Sequence, residues 1–270
     1  MAMRRFRPET PISIWDRQVG TLRELMERGL ADSVATDPGE AVREAGLVVL
    51  CTPVEAMEEL AAAFVSNLSP GSVVTDAGSV KSCVTQRLGP LLGGRFVGGH
   101  PMAGSERSGL ASARADLFEG APCLLTPVVE TDRAALAGVA DFWSSLGARV
   151  ATISPAEHDR LVARLSHLPH ALAFALVHLA ATTLPEGSVG LAGGSFRDAT
   201  RVASSNPGLW TGILTENRDE VAGALREMSA LLLTMADDLD AGKRDSLLDF
   251  LERAREHRDS LPLPPPEETL

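Results

Sequence analysis

The chain has 270 residues, 44% of them hydrophobic, which suits one or two globular domains with a substantial core. Its formal net charge of −11 argues against nucleic acid as a partner, because phosphate contacts need basic surface. The three cysteines show no C-x-x-C pattern and are expected to be reduced thiols in a cytoplasmic protein. The most apolar stretch, Leu165–Leu184, contains three histidines and Pro169, so it predicts a buried helix and not a membrane span.

Strands and helices alternate through the first half of the chain. The predicted strands are Pro11–Trp15, Leu47–Leu50, Ser72–Thr75, Ala121–Pro127 and Arg149–Ile153. The predicted helices are Thr21–Arg28, Pro38–Ala45, Glu55–Ser66 and Asp132–Leu146, and Met1–Arg7 has the pattern of a helix end. This alternation predicts an α/β fold with a parallel, doubly wound sheet.

The second half of the chain has a different pattern, in which helical periodicity replaces strands. It covers Glu157–Leu184, Leu209–Leu239 and Ser246–Ser260. We therefore predict an α/β domain over residues 1–151, a helical domain over 152–260 and a disordered, proline-rich tail over 261–270. The apolar faces of the helices are expected to pack against another subunit.

Three predicted strands end in small or polar residues that share one edge of the sheet. These ends are Thr52-Pro53, Asp76-Ala77-Gly78-Ser79 and Gly98-Gly99-His100. Open α/β sheets bind ligands in the crevice at this edge. Because Pro101 keeps His100 out of the helical region, its imidazole is placed to act as a general base near neutral pH. On spacing alone, a loop histidine that caps a backbone group is an equal alternative.

Three histidines, His158, His167 and His170, surround one predicted helix start. A metal site is not expected there, because Pro169 separates two of them and neither an HExxH motif nor a cysteine ligand accompanies them. Substrate contact is the interpretation we favour for His170, with the other two behind it. The alternative for each is a core histidine with satisfied hydrogen bonds.

Six segments carry a resemblance to a known family. They are LCTP (50–53), TDAGSVK (75–81), GGHPMAGSE (98–106), EHD (157–159), SHLPH (166–170) and FRDATRVASSNPGLW (196–210). In order and spacing, over nearly the whole chain, the sequence resembles the prephenate and arogenate dehydrogenases of tyrosine biosynthesis. The third and sixth segments are far more specific than a lone glycine motif.

The resemblance implies a Rossmann-type dinucleotide-binding domain, followed by an all-helical domain through which two copies form a homodimer. It implies oxidative decarboxylation of prephenate to 4-hydroxyphenylpyruvate, or of arogenate to tyrosine, with hydride transfer to NAD. The implied catalytic residues are His100, as base for the C4 hydroxyl, and Ser79, which orients that hydroxyl or the imidazole. The implied substrate-binding residues are Arg201, His170, Ser105, Glu106 at the entrance, His167, His158 and Trp210. A guanidinium suits a carboxylate because it binds in a bidentate way, whereas an ordinary core tryptophan is an equal alternative for Trp210.

The cofactor residues implied by the resemblance are Asp16, Thr52, Pro53 and Ser79. Asp16 follows the predicted strand Pro11–Trp15, where an acidic residue binds the ribose of NAD and disfavours NADP; a surface aspartate is the alternative. No G-x-G-x-x-G turn precedes it. We therefore expect an N-terminally truncated domain without its first strand, which is central in such a sheet, and without the phosphate-binding loop.

Two rival functions remain at this point. A hydroxyacid-type dehydrogenase of similar two-domain build is disfavoured, because such enzymes use a lysine of the helical domain and residues 155–240 contain none. A non-enzymatic remnant of the family, impaired in cofactor binding, follows if the missing loop is not replaced. Neither rival function depends on a metal ion, and the sequence predicts no metal site.

Overall fold

A computed structural model describes residues 1–104 and 109–261. The helices are α1 (Ala2–Phe6), α2 (Val19–Glu27), α3 (Pro38–Val42), α4 (Val54–Phe64), α5 (Ser82–Leu92), α6 (Arg133–Ser145), α7 (Pro155–Val162), α8 (Leu168–Thr183), α9 (Gly194–Thr200), α10 (Pro207–Glu216), α11 (Arg218–Asp240) and α12 (Arg244–Ser260). The strands are β1 (Ser13–Ile14), β2 (Ser33–Val34), β3 (Leu47–Leu50), β4 (Val73–Asp76), β5 (Phe96–Pro101), β6 (Pro122–Thr126) and β7 (Arg149–Thr152). The chain forms two compact units, residues 1–221 and the part that begins at Ala222.

The main sheet has five strands in the order β3-β4-β5-β6-β7, and β1 and β2 form a separate parallel pair. β3, β4 and β5 are parallel, β5 and β6 are antiparallel, and β6 and β7 are parallel. Within the described residues, β1 pairs only with β2 and β3 only with β4. The strand order is therefore interrupted between β1 and β3, where a doubly wound sheet has its first strand.

Both faces of the sheet are covered, which confirms the doubly wound architecture. One core contains Leu50, Phe64 and Leu88 and packs α4 and α5 on one face. A second core contains Val97, Leu125 and Trp143 and packs α6 on the other face, where Ala2 of α1 also lies. A small third core joins Val80 to Trp210 and Ile213, and so holds α10 beside the start of α5.

Local sequence explains where several helices begin. The Asp37 side chain accepts a hydrogen bond from the Glu40 amide and caps α3. Ser154 and Glu157 form a reciprocal capping box at α7, and Asn206 caps α10. These caps explain why the predicted helix starts at Pro38 and Glu157 lie close to the observed starts.

Several elements differ from the sequence expectations. The helix predicted over Glu157–Leu184 is divided into α7 and α8 by a π-helical turn at Ala163–His167. The wider turn precedes Pro169, which has no N–H to donate to a regular helix. The helix predicted over Leu209–Leu239 is likewise divided at Asn217, between α10 and α11. The short strand β2 and the helix α5 were not predicted, and most of the predicted tail (262–270) lies outside the described residues.

One helical stretch among the described residues, Pro155–Thr183, is long and apolar enough to cross a membrane by length and composition alone. Its exposed side chains include Leu176, Val177 and Leu179. Its amino-terminal half carries the buried polar residues His158, Asp159 and His167. The helix predicted to be buried therefore exposes an apolar face in the single chain.

The two glycines before His100 allow close approach at the sheet. A Cβ added at Gly98 would lie 2.4 Å from Thr126 Oγ1, and one at Gly99 would lie 2.7 Å from the Asp76 carbonyl oxygen. Real Cβ atoms do not come this close, so a side chain at either position forces the neighbouring strands apart. The Gly-Gly pair is therefore a packing requirement of β5.

We expect Gly98→Ala to lower the free energy of unfolding by roughly 1–3 kcal/mol, the usual cost of overpacking. The matched control is Gly138→Ala, in the middle of α6, where an added Cβ meets nothing within 4 Å. That variant should gain roughly 0.5–1 kcal/mol, because glycine is unfavourable inside a helix. Urea unfolding of the two variants measures both effects, and equal stability of the two would contradict the packing argument.

Candidate active site

The candidate site lies at the carboxyl end of β5, where His100 stands opposite Leu124 of β6. Its side chain is buried, with a residue exposure of 7%. Its Nδ1 atom lies 2.8 Å from Nε2 of His158, on α7. The strand end thus places the imidazole predicted to be a general base directly against a residue of the helical half.

A second hydrogen bond extends this contact into a relay. His158 Nδ1 lies 2.8 Å from Asp159 Oδ1. The two oxygens of Asp159 also accept hydrogen bonds from the backbone amides of Lys81 and Ser82, each at 2.8 Å. These amides belong to the first turn of α5, where the helix dipole favours a negative charge. We call His100, His158 and Asp159 the histidine relay.

The charges around the relay fix the proton positions. Burial acts to raise the pKa of Asp159, but hydrogen bonds from His158, Ser82 and the Lys81 amide lower it overall, so the group is a carboxylate. A carboxylate can only accept, so His158 carries its proton on Nδ1 and presents the lone pair of Nε2. His100 therefore donates from Nδ1, and the basic lone pair of its neutral form is on Nε2. Among the described residues, no hydrogen-bond partner is present at His100 Nε2.

Both relay histidines are neutral at pH 7. Burial holds the pKa of His100 well below its ordinary value, and the neighbouring His158 and the Lys81 ammonium lower it further. Burial also lowers the pKa of His158, against the opposing effect of Asp159. A neutral imidazole is the form that a general base needs.

The other two predicted histidines lie beside Trp210. The ring of His170 stacks on the indole with centroids 3.6 Å apart, and its Nδ1 donates to the Ser166 carbonyl oxygen at 2.9 Å. His167 meets the same indole edge-on at 6.0 Å. Its Nδ1 accepts from the Asn217 amide at 3.2 Å, while its fully buried Nε2 has no partner. Trp210 is thus both a member of the third core and a wall of the site.

Arg201 lies in the same neighbourhood, because its charge contributes to the lowered pKa of His170, after the larger effect of burial. The side chain is exposed and is engaged in an interaction of its own. Ser105 and Glu106, also predicted for this site, lie outside the described residues.

The predicted cofactor residues at β3 and β4 line one cavity of about 300 Å³. Its lining includes Thr52, Pro53 and Ser79, with Leu209 and Ile213 of α10 on the opposite side. Thr52 Oγ1 is buried and has no hydrogen-bond partner. A larger groove of about 430 Å³, between Thr85 and Glu130, contains none of the predicted site residues. We therefore take the smaller cavity as the candidate cofactor site, because the predicted cofactor residues line it.

Asp16 lies just beyond β1, as predicted. Its Oδ1 accepts a hydrogen bond from the Gln18 amide at 2.7 Å, immediately before α2. The carboxylate is therefore fixed at a strand end, with its other oxygen engaged in no hydrogen bond among the described residues.

Sequence reasoning missed three polar residues that hold the site together. Asp159 was part of the quoted EHD segment but received no role, although it fixes the tautomer of both relay histidines. Asn217 donates to the Asp159 carbonyl oxygen at 2.9 Å and to His167. Lys81 is fully buried beside the relay. The sequence did mark them: Asp159 and Lys81 belong to two of the quoted segments, and Asn217 is a polar residue within a predicted apolar helix. No group of three His, Cys, Asp or Glu side chains that could hold a metal is found within the described ranges.

A doubly wound domain with a buried, neutral imidazole at the carboxyl edge of its sheet, followed by a helical half, is typical of a two-domain dehydrogenase. Two family models match this chain. The model for the nucleotide-binding domain of prephenate dehydrogenase covers residues 1–152, and that for the prephenate dehydrogenase dimerization domain covers residues 154–253. The chain belongs to the prephenate dehydrogenase family.

Individual relatives agree with this assignment. The cyclohexadienyl dehydrogenase of Zymomonas mobilis is 34% identical over 264 residues, which is 96% of this chain and 90% of that protein. A structure of Aquifex aeolicus prephenate dehydrogenase with hydroxyphenyl propionate and NAD⁺ is similar with a TM-score of 0.89 and 33% identity, over 95% of this chain and 91% of that one. Synechocystis arogenate dehydrogenase gives a TM-score of 0.81 and 31% identity, over 96% and 93%.

Burial of the three histidines predicts that the protein loses stability as the pH falls below neutral. Burial lowers the pKa of His167 to about 4, and the pKa values of His100 and His158 are lowered as well. The unfolded chain takes up these protons near pH 6.5, whereas the folded chain does not. The unfolded state then binds more protons, so the free energy of unfolding falls as the pH drops from 7 to 5.

Urea unfolding at pH 7.5, 6.5 and 5.5 measures this effect. The control is His178→Gln, at an exposed position of α8, which should keep the same slope. A constant free energy of unfolding across this range would show that the buried histidines take up protons in the folded state as they do in the unfolded chain.

Proposed function

We propose that this protein catalyses the oxidative decarboxylation of prephenate, or of arogenate, with NAD⁺ as the hydride acceptor. The observation that carries the proposal is the histidine relay, which presents a neutral imidazole at the carboxyl edge of the sheet in a chain of the prephenate dehydrogenase family. The named activities and ligands of the relatives support the same reaction and the same cofactor. Reduced cysteines suit the cytoplasm, where we place the protein.

The residues around the β3–β4 cavity fit a dinucleotide. The unpartnered, buried hydroxyl of Thr52 is a group that a bound polar ligand would satisfy. Thr52, Pro53 and Ser79 would flank the reactive end, and the Asp16 carboxylate would bind the adenosine ribose and disfavour the phosphate of NADP. When bound, NAD⁺ supplies the hydride acceptor. The 270 residues contain no G-x-G-x-x-G turn for the pyrophosphate.

The relay would handle the single proton that moves in the reaction. His100 Nε2 accepts the proton of the C4 hydroxyl as the C4 hydride departs, and Ser79 orients that hydroxyl. Loss of the ring carboxylate as CO₂ makes the ring aromatic and leaves a phenolate, which takes the proton back. The imidazolium that exists in between is stabilised through His158 by the Asp159 carboxylate. No net proton is released, so the base is regenerated in each turnover.

The residues around Trp210 would bind the anionic substrate. Arg201 would hold a carboxylate of the substrate, with His170 beside it and the indole closing the pocket over the ring. His167 would present its unpartnered Nε2–H, and His158 would act from behind His100. Ser105 and Glu106 complete the proposed set, the latter at the entrance. A bidentate guanidinium is suited to this role because the overall charge of −11 repels an anionic substrate.

We also propose that two copies pair through the helical half. α8 exposes Leu176, Val177, Leu179 and Leu184, and a free apolar helix face of this kind is typical of an interface. The match of residues 154–253 to a dimerization domain supports a second copy of the chain as the occupant. The predicted division into residues 1–151 and 152–260 stays a prediction.

The test of the function is NADH formation with prephenate and with arogenate, followed by absorbance. We expect NADH with at least one substrate, and His100→Asn to lower kcat by roughly 10²–10⁴-fold, the usual contribution of a general base. Substrate binding should change little, because asparagine keeps the size and polarity of the site. The rate should fall at acid pH, through a pKa below the ordinary histidine value.

Two outcomes decide against this proposal. A His100→Asn enzyme with near-normal kcat removes the base from the mechanism. Absence of NADH from the folded wild-type protein, together with undetectable NAD⁺ binding by calorimetry, supports the alternative of a family member impaired in cofactor binding.

We expect Arg201→Lys to raise KM by roughly 10–100-fold, since a bidentate grip on a carboxylate becomes a single contact worth ~1.5–3 kcal/mol less. Arg197→Lys is the matched control, because this exposed arginine lies on the preceding helix α9. Its KM should stay within about twofold, as for other exposed surface substitutions. If both variants behave alike, Arg201 belongs to the surface and not to the substrate site.

A further inference from the structure

A buried ion pair below the relay has no role in the mechanism described so far. Asp76, at the end of β4, and Lys81, just before α5, are both completely buried and bonded to each other. Only two of the 25 basic residues of this chain are lysines, Lys81 and the exposed Lys243. The chain uses arginine almost everywhere else, so the slender stem and compact ammonium of lysine are a specific choice at this position.

The contacts of the pair join the three segments that form the site. Asp76 Oδ1 accepts from the Gly99 amide of β5 at 3.0 Å, and Oδ2 accepts from the Gly78 amide at 2.9 Å. Lys81 bonds the same carboxylate and lies at the start of α5, where its own amide donates to Asp159. The turn that carries Ser79 is thus fixed at both ends, and it is tied to the strand that ends in His100.

The stem of Lys81 passes over Gly98. A Cβ added there would lie 3.4 Å from Lys81 Cδ, as well as against Thr126. The TDAGSVK and GGHP segments are therefore in direct contact: the Lys81 stem lies against Gly98, and the Asp76 carboxylate accepts from the Gly99 amide.

The charges place the ammonium where it acts on the base. The titratable groups among the described residues that bear on His100 are His158, Lys81, His167 and Asp159, with the Cys123 thiol beside its backbone. Burial raises the pKa of this thiol to about 12, so it adds no charge. Lys81 lowers the pKa of His100 and Asp159 raises it, whereas Asp76 acts on His100 through the ammonium that it holds in place.

We propose that Asp76 and Lys81 are positioning residues of the active site: they lock the Ser79 turn against β5 and hold a fixed ammonium beside the two relay histidines. The ammonium keeps His100 unprotonated at rest, and the carboxylate of Asp76 keeps the ammonium in place. This inference rests on the proposed function for its catalytic part, whereas its electrostatic part concerns the protein without any ligand.

The test compares the wild type with the double variant Asp76→Asn/Lys81→Met, which removes both charges and keeps the side-chain lengths. Histidine NMR titration of the unliganded protein should show a raised pKa for His100, because the variant loses the Lys81 charge that lowers this pKa, whereas Asp76 is not among the main influences on it. The acid limb of the rate profile should shift in the same direction. At the plateau, kcat should fall roughly 10-fold or more, through misplacement of Ser79, while KM changes less.

The matched control is Asp238→Asn/Lys243→Met, which removes the only other lysine, whose side chain is exposed, and its half-buried partner. It should change neither the His100 titration nor the rate profile. An unchanged His100 pKa and an unchanged kcat in the Asp76/Lys81 variant would overturn the proposal. The NMR result decides the electrostatic part even if the wild type makes no NADH, so this failure and that of the proposed function are distinguishable.

A measurement on the wild type covers the case in which the double variant does not fold. With two lysines in the chain, ¹⁵N-lysine labelling gives two side-chain signals, of which Lys81 is assigned through Lys243→Met. The proposal requires that the signal of Lys81 be that of an ammonium group. A neutral amine signal at pH 7 would refute it.

Discussion

The site depends on one buried carboxylate. Asp159 accepts two backbone amides of α5 and the imidazole of His158, and its own carbonyl oxygen accepts from Asn217. A buried charge is tolerated only when it is paired and hydrogen-bonded, so the two amides and the imidazole keep the Asp159 carboxylate ionised, while Asn217 holds its backbone. Because the donors come from residues far apart in sequence, the same hydrogen bonds hold the helix after the sheet against the edge of the sheet. The hydrogen bonds that orient His158 against His100 therefore also attach α7 to the sheet.

The sequence predicted the parts of the site that are set by local chemistry. Each of Thr52, Ser79 and His100 follows an apolar strand at one edge of the sheet, and a turn residue or proline marks each end. The relay itself could not be predicted, because the contact between Asp159 and the α5 amides joins residues more than 70 positions apart and leaves no periodic signal. Nor does a pattern of apolar residues distinguish a solvent-exposed lysine from Lys81, which is buried in an ion pair with Asp76.

The breaks in the long helices have a similar origin. Apolar periodicity continues through Ala163–His167 and through Asn217, and it predicts uninterrupted helices. The structure interrupts both because polar side chains at these points are needed elsewhere: His167 turns inward and Asn217 donates to it and to Asp159. Tertiary hydrogen bonds have overridden helix propensity at the two positions that face the relay. Places where a local rule fails are expected at functional sites, and here both failures point to the same cluster.

In its proposed role as general base, the deeply buried His100 faces two opposing requirements. Burial and the Lys81 ammonium lower its pKa, which keeps it neutral and ready but also makes it a weak proton acceptor. The relay offsets this weak basicity only after His100 has accepted a proton. Before that, Asp159 interacts with neutral rings; afterwards it faces an imidazolium, and the hydrogen bonds of the relay become charge-assisted and roughly twice as strong. The stabilisation is therefore larger for the protonated intermediate state than for the resting one, which is the condition under which an interaction accelerates a reaction instead of merely tightening binding.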